Sequence, residues 1–272
     1  MKAIETMKLT KSYGASRGIN ESELSVEEGY FYGFIGPNGA GKSTTIRTIL
    51  GLIKPTSGSA RVLGYDIVND SKLILENTGY LPSEVNYYNH MKVRDVIEYS
   101  AALRGVKCSD KGRRISERLG LDLNKKVTEL SLGNRKKVGI VCAIQHSPKL
   151  LILDEPTSGL DPLVQREFFS ILQEENKQGT TVFLSSHVLS EVQNYCRSAA
   201  FIKDGQIIIA DKVEKLEGAN VKQIAIKTKD GIEEFIYNGD INDLMKSMAT
   251  KELLDITITE PSLEDVFMNY YR

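Results

Sequence analysis

Nine residues near the start of the chain, GPNGAGKST from Gly36 to Thr44, have the types and spacing needed to hold a chain of phosphates. They fit G-x-x-x-x-G-K-[ST], with Gly36, Gly41, Lys42 and Ser43 in the required places. Gly36, Gly39 and Gly41 permit a close backbone approach in conformations that side chains resist. The loop Gly36-Pro37-Asn38-Gly39-Ala40-Gly41 then points successive backbone N–H groups inward. The helix that follows offers its positive end to the same anion. Lys42 is expected to reach the β- and γ-phosphates and Ser43 to ligate Mg²⁺, with Thr44 completing the stretch.

Two carboxylates answer this loop from far along the chain. Asp154 and Glu155 end the apolar run LLIL. At the C-terminal end of a buried parallel strand they face the ligand side of an open α/β sheet. Asp154 is expected in the Mg²⁺ shell through water, and Glu155 to take a proton from the attacking water. His187 ends another apolar run, TTVFLSSH, at the same sheet edge. A lone histidine there is usually structural, but beside a phosphate loop it is expected to touch the γ-phosphate. Tyr13, in the polar loop after Lys11-Ser12, either stacks on a purine or is plain surface.

A third stretch breaks a local rule. Ser131 fits a helix N-cap, yet the first turn behind it holds Arg135, Lys136 and Lys137. Cations there oppose the helix macrodipole by about 0.3–1 kcal/mol each. Either an anion at that end compensates, or this is a solvated basic face.

The elements that must position these groups are legible from periodicity. YFYGFIG before the loop reads as a buried strand, and Ile46, Ile49, Leu50 and Ile53 behind it recur at helical spacing. Residues 1–26 read as two or three strands ending at Glu27-Glu28-Gly29. Residues 54–67 read as turns around one short strand, and TGYLPS as a strand stopped by Pro82. From Val93 the pattern turns helical, ends at Gly105, and resumes around Ile115 and Leu119. A helix over 162–176 precedes TTVFLSSH, and AAFIKDGQIIIA reads as a hairpin turning at Asp204-Gly205. Beyond Asp211, KQIAIKT, EEFIY and LDITIT read as strands, residues 241–248 as a helix and residues 262–270 as a last helix with a capping-box start.

The chain has 272 residues, enough for one large domain or two smaller ones. Its formal net charge of −1 gives no basic field for nucleic acid. Cys108, Cys142 and Cys196 are scattered and odd in number, so they form no disulfide or metal framework and fit a reducing compartment. No apolar run approaches the roughly 18 residues of a membrane span, and the N-terminus lacks a signal-peptide core. A cytoplasmic protein is expected, with any membrane part supplied by another chain.

Taken together, these residues resemble the ATP-binding cassette (ABC) family of transporter ATPase subunits over residues 1–210. GPNGAGKST looks like its Walker A, LLILDEP its Walker B with the catalytic glutamate, and SGLD at 158–161 its D-loop. SSH resembles the switch-histidine loop, KSYG the adenine-stacking loop, and LSLGN at 130–134 the LSGGQ signature. PSLEDVF at 261–267 resembles the tail of bacterial exporter subunits of the drug, antibiotic and peptide class. The resemblance implies an α/β P-loop core with an N-terminal antiparallel β subdomain, a helical insertion over about 84–148, and an α+β appendage over 211–272. It implies ATP and Mg²⁺ as ligands and a second cassette, most simply an identical one, packed head to tail. Ser131 and Gly133 of one subunit would then meet the γ-phosphate of the other. It also implies an integral membrane permease as partner, with this subunit peripheral on the inner face of the membrane.

Two departures matter. The family usually has glutamine after GYLP, which contacts Mg²⁺ and water and connects the core to the helical insertion; here Ser83 stands, too short for both tasks, so a bridging water or Glu84 is expected to substitute. In the signature, Leu132 replaces glycine and Asn134 glutamine, while Ser131 and Gly133 remain. A soluble cassette or a regulatory subunit with weak hydrolysis is the alternative. The stretch 85–90, with Tyr87 and Tyr88, is expected to line the permease-docking groove.

Overall fold

The computed structural model describes residues 1–14, 16–106, 108–216, 221–229, 231–249 and 252–259. The chain opens with β1 (Lys2–Tyr13), β2 (Ser16–Ser22), β3 (Ser25–Glu27) and β4 (Phe31–Ile35), then α1 (Lys42–Ile49). β5 (Ser57–Val62), β6 (Tyr65–Asp66), α2 (Ser71–Asn77) and β7 (Thr78–Leu81) follow. A helical stretch comprises α3 (Val93–Leu103), α4 (Ser109–Arg118) and α5 (Leu132–Ile144). Next come β8 (Leu150–Asp154), α6 (Pro162–Lys177), β9 (Thr181–Ser186), α7 (Leu189–Tyr195), β10 (Ser198–Lys203) and β11 (Gln206–Lys212). The remaining elements are α8 (Val213–Leu216), β12 (Val221–Thr228), β13 (Gly231–Asn238), α9 (Ile241–Met248) and β14 (Asp255–Thr259). Two compact units result, Met1–Ala210 and Asp211–Arg272.

In the first unit β4, β8 and β9 are buried at every residue. This suits parallel strands covered on both faces. They lie in a six-stranded sheet of order β11-β10-β4-β9-β8-β7. Pairing is parallel from β10 through β4, β9 and β8 to β7. Register aligns the strand ends: Ile35 pairs with Ser186, and Asp154 with Ser185. The loops carrying Gly36–Gly41, Glu155 and His187 therefore leave the same edge. A second sheet, order β2-β1-β5-β6 with β3 also on β1, pairs antiparallel. Between the sheets, Ile46 and Ile49 of α1 share one core with Ile4, Val26, Phe34 and Phe183. Each such buried side chain contributes roughly 1.5–3 kcal/mol, so the start of α1 is fixed from two sides.

Residues 54–67 hold two strands where one was expected. Leu63 and Gly64 both take positive φ, which closes a tight turn between β5 and β6. Asp204 and Gly205 do the same between β10 and β11, as expected. The helical stretch is joined to the core by polar contacts. Arg104 donates to the Leu75 and Thr78 carbonyls, and Lys111 pairs with Glu175 at 2.7 Å, while Gln145 donates to Ile97 within the stretch itself. α3 stops at Leu103, with Gly105 at φ 65° just beyond, where the periodicity ended.

The second unit holds a sheet of order β13-β12-β14, antiparallel throughout. Ile224 and Ile226 alternate onto one face and pack with Leu244 and Met248 of α9. Asp240 caps that helix by accepting from the Asn242 N–H. The helix expected over 262–270 lies outside the described residues. Among the described residues no helix is long and apolar enough to cross a membrane.

Candidate active site

The glycine loop runs from buried β4 into α1. Gly39 and Gly41 take φ of 81° and 107°, values that L side chains rarely adopt. Gly36 is confined for another reason: a Cβ there would lie 2.5 Å from the Ile202 carbonyl oxygen. Lys42, only 6% exposed, donates to the Gly36 carbonyl at 2.6 Å and the Pro37 carbonyl at 3.1 Å. Its ammonium also lies 3.2 Å from Glu155 Oε1. Loop and lysine thus hold each other in shape while the first helical N–H groups stay free of side-chain caps.

The carboxylates arrive from β8. Asp154 is fully buried and accepts from the Ser43 hydroxyl at 2.7 Å and the Ser185 hydroxyl at 3.1 Å. Glu155 follows at φ 49°, a conformation costly for a side-chain-bearing residue. Its N–H is tied to the Ser185 carbonyl, which keeps it there. His187 Nδ1 lies 2.6 Å from Glu155 Oε2. Glu155 Oε1 is buried and accepts no well-directed hydrogen bond, although the Lys42 charge is beside it. A half-satisfied carboxylate oxygen in that place has capacity for a proton or a water.

Pro37, Asn38, Gly39, Gly41, Lys42, Ser43, Thr44, Ser83 and Glu155 line one cavity of about 450 Å³. The fit to a Mg²⁺-bearing polyphosphate is chemical. The walls offer backbone N–H groups, one ammonium, a hydroxyl paired with a buried carboxylate, and open space at Gly39, where a Cβ would meet nothing within 4 Å. Ala40 is buried below, its carbonyl accepting from the Gly205 N–H.

Tyr13 ends β1 half-exposed, with the Lys11 ammonium 5.2 Å from its ring centre. The hairpin that carries it abuts the loop: a Cβ on Gly41 would lie 2.9 Å from the Gly18 carbonyl of β2. Ser131 caps α5 by accepting from the Asn134 N–H at 3.3 Å. Ser131 and Gly133 do not line the cavity. Gly133 lies instead against the loop after Glu155, where a Cβ would meet the Gly159 carbonyl at 2.5 Å. Leu132 beside it is exposed.

The basic turn behind Ser131 is split, unlike either sequence reading of it. Lys136 is buried and donates inward to the Pro82 and Ser83 carbonyls at 3.1 and 2.8 Å. Burial pushes its ammonium down to about 8, against the pull of Asp154 and Glu155. Carbonyls of the same chain, rather than an external anion, compensate that cation. The tyrosine pair divides too. The Tyr87 hydroxyl packs where a Cβ on Gly139 would stand, and its burial raises its pKa, while Tyr88 is exposed.

Sequence reasoning passed over Ser185 and Glu191, and it noticed Lys136 without finding its partners. Buried Glu191 accepts from the Ser186 hydroxyl at 2.7 Å, next to His187, and burial raises its pKa. A polar residue inside an otherwise apolar strand, as in TVFLSS, was the available signal for Ser185.

Residues 19–158 match the family described as ABC transporter. The bacitracin transport ATP-binding protein BcrA of Bacillus licheniformis is 33% identical, over 97% of this chain and 96% of that protein. The ABC transporter ATP-binding protein YdbJ of Bacillus subtilis is 35% identical, over 96% and 92%. A solved ATP binding subunit of an ABC transporter superposes with TM-score 0.73 at 28% identity, covering 79% of this chain and 92% of that one. With a phosphate loop, two carboxylates and a histidine meeting at one sheet edge, the chain belongs to the ABC transporter family, as an ATP-binding subunit that hydrolyses ATP.

Proposed function

We propose that this subunit powers export of a drug-, antibiotic- or peptide-like molecule through a separate membrane permease. ATP would bind in the cavity over α1, with Lys42 and the N–H groups of residues 36–44 on its phosphates and Tyr13 against adenine. Ser43 and Asp154 would hold Mg²⁺, Asp154 through water, with Ser83 at its margin. The metal would supply charge neutralisation on the phosphate oxygens. Glu155 takes the proton of the attacking water, and His187 orients Glu155 and contacts the γ-phosphate. Ser131 and Gly133 serve the site of a second, identical cassette, so ATP joins two subunits and hydrolysis frees them. The permease keeps the subunit on the inner face of the membrane. The name of the bacitracin transport relative supports the transported class.

One observation carries this reading. Glu155 stands at the cavity wall between Lys42 at 3.2 Å and His187 at 2.6 Å, with an oxygen that lacks a directed hydrogen bond. Glu155→Gln keeps shape and reach but removes the basic oxygen. Hydrolysis should fall by about 10²–10⁴-fold while ATP still binds. Light scattering after size exclusion should then find monomers without nucleotide and dimers with ATP. Unimpaired hydrolysis in Glu155→Gln would overturn the assignment of the base. A monomer at saturating ATP would overturn the homodimer.

A further inference from the structure

We infer that Lys136 is a positioning residue for hydrolysis: its ammonium, bound to the Pro82 and Ser83 carbonyls, ties a wall of the nucleotide cavity to the N-terminal half of α5. The inference rests on the reading of that cavity as the site of ATP hydrolysis.

Lys136 is 3% exposed, the fifth residue of α5, a buried cation near the positive end of a helix. Such a placement survives only with specific partners. It has two, both main-chain oxygens of the segment leaving β7. Ser83 is used on both sides: its carbonyl accepts from Lys136, and the residue lines the cavity with Lys42, Ser43 and Glu155. One turn along α5, Gly139 lets the same segment settle. A Cβ there would lie 2.6 Å from Leu81 Cδ1, 3.0 Å from Val85 Cγ1 and 3.1 Å from the Tyr87 hydroxyl. Residues 81–87 are therefore fixed to α5 at two points, one polar and one apolar.

The polar point decides where Ser83 stands. A serine side chain is too short to span from the cavity to the helical stretch, so in this chain the connection runs through the backbone. α5 also carries Ser131 and Gly133 at its start, three to five residues from Lys136. Movement of that end would reach Ser83 through one rigid turn. Misplacement of a reacting group by about 1 Å can cost up to about 10²-fold in rate.

The test compares the full-length wild type, Lys136→Met, Lys136→Gln, Lys136→Arg and Glu155→Gln. Lys136→Met removes the donors and keeps the apolar stem. Its kcat for ATP should drop about 10- to 100-fold with KM within about threefold, the pattern of lost transition-state positioning. Lys136→Arg, which restores a charged donor, should recover most of that loss. In nucleotide-free protein the amides of residues 83–87 should exchange hydrogen faster in Lys136→Met than in wild type. Wild-type kcat together with unchanged exchange in Lys136→Met would overturn the inference. Lys136→Gln takes that role if circular dichroism shows the Met variant unfolded. If the wild type does not turn over ATP, or Glu155→Gln turns it over unimpaired, the reading of the cavity fails instead. The exchange measurement needs no nucleotide and still decides whether Lys136 holds the segment.

Discussion

Two helix N-termini in this molecule have sequences suited to anions, and their surroundings differ. α1 begins at Gly41, has no side-chain cap, and opens onto a cavity that its own chain lines with Lys42 and Glu155. α5 begins at Ser131, which caps it, beside exposed Leu132 and against Gly159. Its one buried cation, Lys136, faces inward to carbonyls. The first terminus opens onto a cavity that its own chain lines. The second packs toward its own core and is exposed toward solvent, which suits the proposed contact with a second subunit.

The largest expected effect sets these two termini against each other. Lys42→Ala should cut ATP affinity of the isolated subunit by about 10²-fold, roughly 3 kcal/mol, because charge-assisted contacts are lost. Ser131→Arg should leave that affinity unchanged and abolish the ATP-dependent dimer of Glu155→Gln, since a bulky cation fills the cap. Titration with a fluorescent ATP analogue and light scattering read the two quantities. Equal loss of affinity in both variants would break the distinction, because the second terminus would then belong to its own chain's site.

A smaller effect probes how firmly α5 is anchored at its other end. Burial and the nearby Arg104 charge push His146, just past that end, down to about 4. Its ring nitrogens make no well-directed hydrogen bond. Above pH 6.5 the ring is neutral in both folded and unfolded chains and stability is unaffected. As pH falls from 6.5 toward 4 only the unfolded chain takes up the proton, so stability falls. The penalty is about 2 kcal/mol at pH 5. Urea unfolding at pH 7 and pH 5 should show that His146→Asn loses about 2 kcal/mol less than wild type over this interval. An identical loss would mean the ring is solvated and α5 ends loosely.

An effect of comparable size concerns the far side of the first terminus. Tyr13→Ala should weaken ATP binding by roughly 1–3 kcal/mol, by analogy with base stacking, and Tyr13→Phe hardly at all. GTP and ATP should be weakened alike, because a ring face reads stacking area rather than hydrogen bonds. Equal ATP affinity in the alanine variant would make Tyr13 surface, and would restrict the α1 site to the phosphates.

Much of this architecture is written in local pattern. Strands buried on both faces need continuous apolar runs, so FYGFI, LLILD and TVFLSS announce themselves, and a helix with a 3.6 period follows the glycine loop. The short helices α2 and α7 do not, since seven residues give barely two turns of period. The β5–β6 turn escaped because Leu63, a residue that resists positive φ, occupies it with Gly64.

By itself the sequence determined the phosphate loop, the two carboxylates, the histidine and the strands that carry them. Each is a short-range arrangement in which spacing dictates chemistry. Only the tertiary structure decided which groups meet. It set Asp154 between Ser43 and Ser185 and put His187 on Glu155. It turned Lys136 away from solvent onto Pro82 and Ser83, and parted Tyr87 from Tyr88. These outcomes depend on which carbonyl or cavity lies within about 3 Å of a side chain once distant segments pack. Residues 31 to 111 positions apart supply those partners, and no local periodicity encodes them.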